Sequence, residues 1–265
     1  MKNIFFISIG LLLMDIAMAQ NVGIGTTTPT AKLDVIGSIK ITDGTQGAGK
    51  VLTSDVNGKA TWQAMTISTS SSDSIGVNAA VSIGCNTWMT KNLNVARYRN
   101  GEPIPKVTNS TTWASLTTGA YCYYANDSAT YAAVYGKLYN WYAVNDPRGL
   151  APEGWHIPSD FEWTYLITTL GGNNSAGGPM KAIGITYWNI PNLGATNICN
   201  FAALPGGQRS ATGAFSNEGN YGNWWSSSKG ETNIAWSRNL NYNDTHINGA
   251  SSDLRVGFSV RCIKD

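Results

Sequence analysis

The sequence predicts an α+β protein in which short strands and loops outnumber helices. Two segments near the middle of the chain, 131–144 and 159–170, carry apolar residues at helical spacing. Around them lie many short runs of β-forming residues, separated by turn dipeptides such as Asn57-Gly58. Helices grouped between strands in this way are typical of α+β domains rather than of a repeating β-α-β sheet.

Composition limits the classes of function. The 265 residues are 42% hydrophobic, which allows a substantial core. Only 13% are charged, about half of the roughly 25% in ordinary soluble domains. The net charge is +2 with no basic run, so the sequence indicates neither a nucleic-acid partner nor an anionic membrane surface. Glycine, aromatic and small polar residues take the place of charge, which suits an exported β-rich protein.

Residues 1–19 have the features of a secretory signal peptide. Lys2 supplies a positive charge, and residues 4–13 form an apolar stretch that is too short to span a bilayer. A small-x-small pattern ends at Ala19, so we expect cleavage after that residue. Gln20 follows instead of a cysteine, so no lipid anchor is expected there. The sequence thus predicts a secreted or cell-surface protein with no membrane span after cleavage.

Residues 20–63 predict a small β-rich unit. Apolar residues alternate with a period of two from Leu33 to Ile41, which predicts a half-buried strand. Two further strands flank Asn57-Gly58, a dipeptide typical of tight hairpins. A unit this short with few large apolar side chains cannot form a stable core alone. We therefore expect it to dock on another surface or to oligomerise.

Residues 64–79 are rich in serine and threonine and predict a polar linker, after which residues 80–265 predict the main domain. Strands are expected at 81–89 and 120–124, and a helix over 131–144. The helical spacing of this last segment is carried by Val134, Leu138, Trp141 and Tyr142.

The stretch GWHIPSDFEW, residues 154–163, predicts the end of a strand, a turn and the start of a helix. Pro158 disfavours helix at the residue before it. Ser159 precedes Glu162 by three positions, the pattern of a capping box. Apolar residues then follow at i, i+3, i+4 and i+7, and two glycines at 171–172 end the helix.

The last part of the chain predicts short strands. One begins at Trp224, and residues 235–242 alternate between an apolar face and a face that carries amides. In the final segment Phe258, Val260 and Cys262 share one side, which predicts a closing strand.

Four cysteines follow the signal peptide: Cys85, Cys122, Cys199 and Cys262. An even number in an exported protein favours two disulfides, with three connectivities open. Buried free thiols are the alternative. No pair has the Cys-x-x-Cys spacing, so neither a zinc knuckle nor a thioredoxin-like site is expected.

Few residues offer chemistry. His156, Asp160 and Glu162 suggest a metal cluster, but a role in capping the helix and supporting the turn explains them better. The only other histidine is His246, and no Gly-x-Ser-x-Gly nucleophile elbow is present. We therefore expect no catalytic residue, no metal site and no cofactor.

A binding face is the better candidate. From Trp224 to Ser252 the sequence is rich in Trp, Tyr, Asn and Ser, a mixture that is typical of adaptable recognition surfaces and suits sugar rings. The alternative is that the tryptophans are core and the asparagines form solvated turns. The predicted ligand-binding residues are Trp225, Arg238, Asn239, Asn241, Tyr242, Asn243 and His246. The expected ligand is an extracellular glycan or a protein.

The first unit contains the segments VGIGTTTP, KLDV and VLTSD. In this it resembles repeated segments at the start of many exported Bacteroidetes proteins, and the shaft and head segments of trimeric fibres. The resemblance covers nearly all of residues 20–63. It implies surface display and a homotrimer through these residues.

The main domain contains six motifs in one order: WMTKNL (88–93), YGKLYNWYAV (135–144), GWHIPSDFEW (154–163), LPGGQR (204–209), WWSS (224–227) and GFSVRC (257–262). With them the chain resembles the Fibrobacter succinogenes major paralogous domain, an exported bacterial module whose activity is unassigned. The resemblance spans about residues 85–264.

A remoter similarity is to formylglycine-generating enzymes, in which RLPTEAEW stands at the place of HIPSDFEW here and GFRC at the place of GFSVRC. It implies a C-type-lectin-like domain with two helices and a looped, twisted antiparallel sheet. The resemblance also implies disulfides between Cys122 and Cys262 and between Cys85 and Cys199. The enzyme's oxidation chemistry needs two close reactive cysteines, which the spacing here does not offer.

The sequence thus predicts an exported, surface-displayed binding or adhesion module, and not an enzyme. One alternative is a structural surface or fibre subunit. Another is a polysaccharide-active enzyme, which needs paired carboxylates about 5–10 Å apart. The chain has only 16 acidic residues, and none forms a recognisable pair.

Overall fold

The computed structural model describes residues 21–47, 50–55, 57–64 and 80–265. The predicted signal peptide with its cleavage site after Ala19, and the predicted linker beyond residue 64, lie outside these described residues. The chain divides into two compact units, Met1–Thr66 and Ile67–Asp265.

The first unit consists of two small strand pairs. Strands β1 (Val22–Ile24) and β2 (Leu33–Val35) pair in parallel. Strands β3 (Lys50–Ser54) and β4 (Ala60–Ala64) form an antiparallel hairpin, which confirms the prediction from the Asn-Gly dipeptide. The strand that was predicted to run to residue 41 is wrong beyond Val35.

None of the described side chains in this unit is fully buried. Val22, Ile24, Leu33, Ile36 and Ile39 are all more than half exposed. Isolated two-strand pairs enclose too little volume to cover such side chains. The unit therefore has an apolar surface and little core, as its sequence predicted.

The main unit is a mixed α/β fold of small antiparallel sheets and short helices. Its strands are β5 (Ala80–Ile83), β6 (Asn86–Met89), β7 (Tyr121–Cys122), β8 (Leu138–Tyr139), β9 (Trp155–His156), β10 (Gly206–Arg209), β11 (Phe215–Glu218), β12 (Tyr221–Lys229), β13 (Ile234–Asn241), β14 (Ile247–Asp253) and β15 (Ile263–Lys264). Its helices are α1 (Ser110–Ala114), α2 (Ser128–Tyr135), α3 (Trp141–Val144), α4 (Asp160–Thr169) and α5 (Gly177–Met180). The sheets have the orders β5-β6-β15-β9, β12-β13-β14, β10-β11 and β7-β8. Among the described residues, no helix is long and apolar enough to cross a membrane.

The joint at residues 154–163 has the predicted structure. Strand β9 ends at His156, and Ser159 caps α4. The backbone N–H of Glu162 donates to Ser159 Oγ at 3.3 Å, and the N–H of Ser159 donates to Glu162 Oε2 at 2.8 Å. This reciprocal pair is a capping box, which depends only on residues three positions apart.

The predicted helix over 131–144 is wrong, because two short helices and a strand occupy this segment. Helix α2 ends at Tyr135, and Gly136 follows with φ 71° and ψ −148°, a conformation that is almost restricted to glycine. A Cβ at Gly136 would lie 2.7 Å from the carbonyl oxygen of Leu93. Strand β8 follows, and Asn140 then caps α3. A distant segment therefore breaks the helix that the local spacing indicated.

The core of the main unit consists of three clusters of buried apolar side chains. The first is built around Trp225, the second around Trp163 and the third around Trp113, and all three tryptophans are fully buried. Each cluster therefore contains a bulky aromatic side chain that buries a large apolar area.

The C-terminal segment runs between the first two clusters. Phe258, Val260 and Cys262 belong to the first cluster, which confirms that they share one side. The closing strand predicted over 257–262 is wrong in its bounds, because residues 257–259 form only isolated bridges and β15 begins at Ile263. Ile263 belongs to the second cluster, and it pairs with both Trp88 in β6 and His156 in β9. This segment closes the main unit.

One buried amide connects four of the six motifs. Asn92 Oδ1 accepts hydrogen bonds from Trp224 Nε1 at 2.9 Å and from Arg261 Nη2 at 2.8 Å. Its Nδ2 donates to the carbonyl oxygen of Tyr135 at 3.0 Å and to Ser259 Oγ at 3.2 Å. These motif residues therefore meet at a structural network.

Arg261 is fully buried and forms no salt bridge with a carboxylate among the described residues. It donates through Nη1 to the carbonyl oxygen of Phe201, and its Cζ lies 4.2 Å from the centroid of that ring. Burial lowers the pKa of Arg261 to about 9, which leaves the guanidinium charged at neutral pH. Neutral oxygens and an aromatic ring therefore hold this charge.

All four cysteines lie in the described part of the chain, and all are free thiols. Cys122 belongs to the third core cluster and Cys262 to the first, whereas Cys85 is exposed and Cys199 half-buried. Neither of the disulfides that the resemblance implied is formed, because the fold places the partners in different surroundings. Burial raises the pKa of Cys122 and of Cys262 to about 12, so both thiols stay protonated at neutral pH.

Candidate functional site

The sheet β12-β13-β14 has two different faces. Residues that are directly opposite on neighbouring strands share a face, and the register pairs Trp224 with Arg238 and Trp225 with Ser237. The face that contains Trp224 packs against α4, where the ring centroids of Trp163 and Trp224 are 6.4 Å apart. The other face carries the amides.

The amide face contains a cross-strand row of three asparagines. Asn223 in β12 is opposite Asn239 in β13, which is opposite Asn248 in β14. In the next row Tyr221 is opposite Asn241, whose Nδ2 lies 3.1 Å from the Tyr221 hydroxyl oxygen. The predicted alternation of amides with apolar residues in 235–242 is therefore present.

A cleft of about 220 Å³ opens between this face and the hairpin β10-β11. Nine residues line it: Gln208, Asn217, Tyr221, Asn223, Ser237, Asn239, Ala250, Ser252 and Phe258. None of them is charged. We call this feature the amide cleft.

The two walls of the amide cleft are tied together by a hydrogen bond. Asn223 Nδ2 donates to the carbonyl oxygen of Gly207 in β10 at 3.1 Å. Gly207 has a φ of 62°, and a Cβ there would lie 2.5 Å from the carbonyl oxygen of Ser216 in β11. This tight approach places Gln208 and Asn217 on the wall that faces β12 and β13.

Three amides of the cleft have no internal partner. In the described part of the chain, the side chains of Gln208, Asn217 and Asn239 make no hydrogen bond to protein atoms. Each amide carries two N–H donors and an oxygen that accepts. The cleft therefore offers donors and acceptors that the fold leaves free.

Trp225, one of the predicted ligand-binding residues, does not line this cleft. Its side chain is fully buried, its Nε1 donates to the carbonyl oxygen of Tyr139 at 2.8 Å, and its ring centroid is 4.7 Å from that of Phe258. Phe258 lines the cleft and Trp225 lies behind it. The alternative interpretation, that the tryptophans are core, is correct for this residue.

Arg238, another predicted ligand-binding residue, does not line the cleft either. It lies on the opposite face of the sheet and is only 6% exposed. Its Nη2 is 2.7 Å from Asp160 Oδ1 and 3.1 Å from Thr164 Oγ1, both on α4. Its charge is therefore used to hold α4 against the sheet.

The predicted residues at the end of β13 lie apart from the cleft. Tyr242 is half-buried and packs against the second core cluster. Asn243 and His246 are exposed in the turn before β14. Of the seven predicted ligand-binding residues, only Asn239 lines the cleft, and Asn241 supports it through Tyr221.

Under this turn the buried ammonium group of Lys181 donates hydrogen bonds to three carbonyl groups. Lys181 Nζ donates to the carbonyl oxygens of Leu193 at 2.8 Å, Asn241 at 2.9 Å and Asp244 at 2.7 Å. Burial lowers the pKa of Lys181 to about 8. The lysine fixes the end of β13 relative to the loop that follows α5.

His156 lies between two carboxylates, away from the cleft. Its Nε2 is 2.8 Å from Glu162 Oε1 and its Nδ1 is 2.7 Å from Asp265 Oδ1. Burial lowers the pKa of His156, but the hydrogen bonds to these carboxylates outweigh it and leave the pKa above its usual value. Within the described ranges, no group of three or more His, Cys, Asp or Glu side chains is arranged to hold a metal ion.

The family model described as Fibrobacter succinogenes major domain matches residues 81–264, nearly all of the main unit. The chain belongs to this family. The assignment that the six motifs suggested is thereby confirmed. Comparison with curated proteins found no match, and comparison with solved structures found none.

The motifs of this Fibrobacter succinogenes major domain mainly build its interior. Only two of the cleft residues, Gln208 and Phe258, belong to the six motifs. Tyr221 and Asn223 alternate before the WWSS motif, so their spacing could have placed them with Asn239. Nothing in the sequence links Gln208 or Asn217 to β12 or β13, because only the tertiary fold brings their hairpin β10-β11 next to these strands.

Proposed function

We propose that the chain is an exported binding module whose main domain holds its ligand in the amide cleft without cleaving it. The observation that carries this proposal is the set of free amides, Gln208, Asn217 and Asn239, on a concave surface. Gln208 and Asn239 are half-buried and Asn217 is exposed, and none of the three side-chain amides is hydrogen-bonded to protein atoms. Amides that remain free in a cleft are available to a ligand.

The chemistry of the cleft favours binding over hydrolysis. Glycoside hydrolysis commonly uses two carboxyl groups on either side of the scissile bond. The nine described residues that line the cleft include no Asp or Glu. The site therefore offers recognition and lacks the acid and base of that reaction.

We propose a C-type-lectin-like architecture for the domain that presents the cleft. Support comes from its small sheets, its few helices and the way the last strand closes a sheet beside the first ones. Strand β15 pairs with both β6 and β9 in antiparallel fashion.

Export and assembly belong to the same proposal. Residues 1–19 direct secretion, cleavage follows Ala19, and residues 20–63 form a homotrimer that displays the main domain at the cell surface. The exposed aliphatic side chains of the first unit support assembly, because soluble monomers rarely leave such a group of side chains in water.

The test uses the secreted mature protein in a screen of glycans and extracellular proteins. Asn239→Ala is expected to weaken binding of any ligand found by about tenfold, since an amide provides one to two hydrogen bonds. Asn248→Ala is the matched control, because Asn248 is opposite Asn239 but does not line the cleft. Full binding by a folded variant with both Asn217 and Asn239 replaced by alanine would contradict the proposal.

A structural fibre subunit is the second candidate, and the exposed aliphatic residues of the first unit favour it. Ile24→Asn and Leu33→Asn are expected to dissociate the assembly under either function. Only the structural function predicts that Asn239→Ala leaves every measured interaction unchanged.

A further inference from the structure

We infer that the amide cleft takes a single uncharged sugar ring, such as the end of a neutral glycan. This inference rests on the proposed function and narrows the ligand class. Three properties of the cleft carry it: its size, its free amides and its lack of charge.

The size suits one ring. Ligand sites for drug-sized molecules have volumes of about 300–1,000 Å³, whereas the cleft has about 220 Å³. A protein partner needs roughly 800 Å² of contact on each side, far more than a cleft lined by nine residues provides. The size of the cleft therefore favours a small group over a protein surface.

The free amides match hydroxyl groups. A sugar hydroxyl both donates and accepts, and so does a primary amide. Gln208 and Asn217 stand on one wall and Asn239 on the other, so a ring between them can be bound on two sides. The rings of Tyr221 and Phe258 add apolar surface for the C–H groups of a sugar.

The two arginines near the cleft point away from it and bind other parts of the fold. Arg209 follows Gln208, but its guanidinium donates to the carbonyl oxygens of Val107, Thr108 and Gly213. Arg238 lies behind the sheet, paired with α4. A carboxylate or sulfate in the cleft would lose water without gaining a counter-charge, which is unfavourable. The cleft therefore selects neutral over acidic sugars.

The experiment compares neutral and acidic oligosaccharides on the secreted mature protein. The neutral probes end in glucose, galactose, mannose or N-acetylglucosamine, and the acidic probes end in sialic acid, a uronic acid or a sulfated sugar. We expect binding of at least one neutral probe, a loss of about tenfold with Asn239→Ala, and no change with Asn248→Ala.

A change of charge provides the second arm. Gln208→Arg is expected to raise the ratio of acidic to neutral binding at least tenfold, because it supplies the missing counter-charge. Ser252→Lys, on the edge strand β14, makes the same test if Gln208→Arg does not fold. An unchanged ratio in a folded variant overturns the inference.

The outcomes separate the inference from the proposed function. If Asn239→Ala weakens binding of acidic probes only, or of a protein only, the cleft is a binding site but the neutral-sugar inference is wrong. If no ligand responds to any cleft variant, both are wrong.

Discussion

Replacing Asn92 with alanine removes the oxygen that holds a buried guanidinium. In the folded chain Asn92 Oδ1 accepts from Arg261 Nη2 at 2.8 Å, from Arg261 Nε at 3.3 Å and from Trp224 Nε1 at 2.9 Å. A hydrogen bond to a charged group contributes about 1.5–3 kcal/mol, and a buried donor left without a partner costs about 1–3 kcal/mol. We therefore expect Asn92→Ala to lower the free energy of unfolding by about 3–5 kcal/mol.

Urea unfolding followed by tryptophan fluorescence measures this loss as a lower midpoint at unchanged slope. Asn248→Ala serves as the control, because its exposed side chain makes no hydrogen bond to protein atoms and surface changes are usually within about 0.5 kcal/mol. The loss is large against the whole stability of a domain, which is about 5–15 kcal/mol.

A double-mutant cycle tests the physical reason for the loss. Arg261→Met removes the charge and keeps an apolar side chain of similar length. In that background Asn92→Ala is expected to cost about 1.5–3 kcal/mol less than in the unmodified chain, because no guanidinium is left unpaired. Equal cost in both backgrounds, or a loss below about 1 kcal/mol in the unmodified chain, would refute the role given to Asn92.

Three more predictions concern buried or strained positions. The folded pKa of Lys181 is about 8, below its usual value, so the unfolded chain binds more protons than the folded chain between about pH 8 and 10. The free energy of unfolding should therefore rise with pH in this window. Urea titrations of Lys181→Met should show that slope reduced by at most about 1.4 kcal/mol per pH unit. His156 has a raised folded pKa, so its pairing with Glu162 stabilises the fold below about pH 6.5, and this stabilisation is lost as the pH rises through the folded pKa. The stabilisation should amount to about 0.5–1 kcal/mol for so exposed a pair, and His156→Gln should abolish its pH dependence. Gly136→Ala should destabilise the fold by more than about 2 kcal/mol, since its φ is 71° and a Cβ would lie 2.7 Å from a carbonyl oxygen. Gly154→Ala is the control, because Gly154 has a φ of 74° but open space around it, and it should cost only about 1 kcal/mol. Thermal unfolding measures both.

Local elements were predictable from the sequence because their interactions join residues that are close along the chain. The capping box at Ser159 and Glu162 spans three positions, and the hairpin β3-β4 follows from its Asn-Gly turn. The alternation in β13 correctly assigned Asn239 and Asn241 to one face. The family was predictable because its motifs occur in a fixed order.

Predictions failed where a distant segment decided the outcome. The helix expected over 131–144 breaks at Gly136 against Leu93, 43 positions earlier. Tryptophan and arginine are residue types that suit a binding surface. Trp225, however, packs beneath Phe258, and Arg238 is paired with Asp160 on α4. Side-chain type alone does not distinguish a buried tryptophan from an exposed one.

The sequence by itself determined the family, the capped helix α4, the tight hairpin β3-β4 and the amide-bearing strand β13, which lines the cleft. Only the tertiary structure decided where a ligand could bind. Gln208 and Asn217 line the same cleft as Asn239 because the hairpin β10-β11 folds back over the sheet. Whether an amide is satisfied or free depends on which atoms the rest of the chain brings within about 3 Å of it, and that is a property of the packed fold.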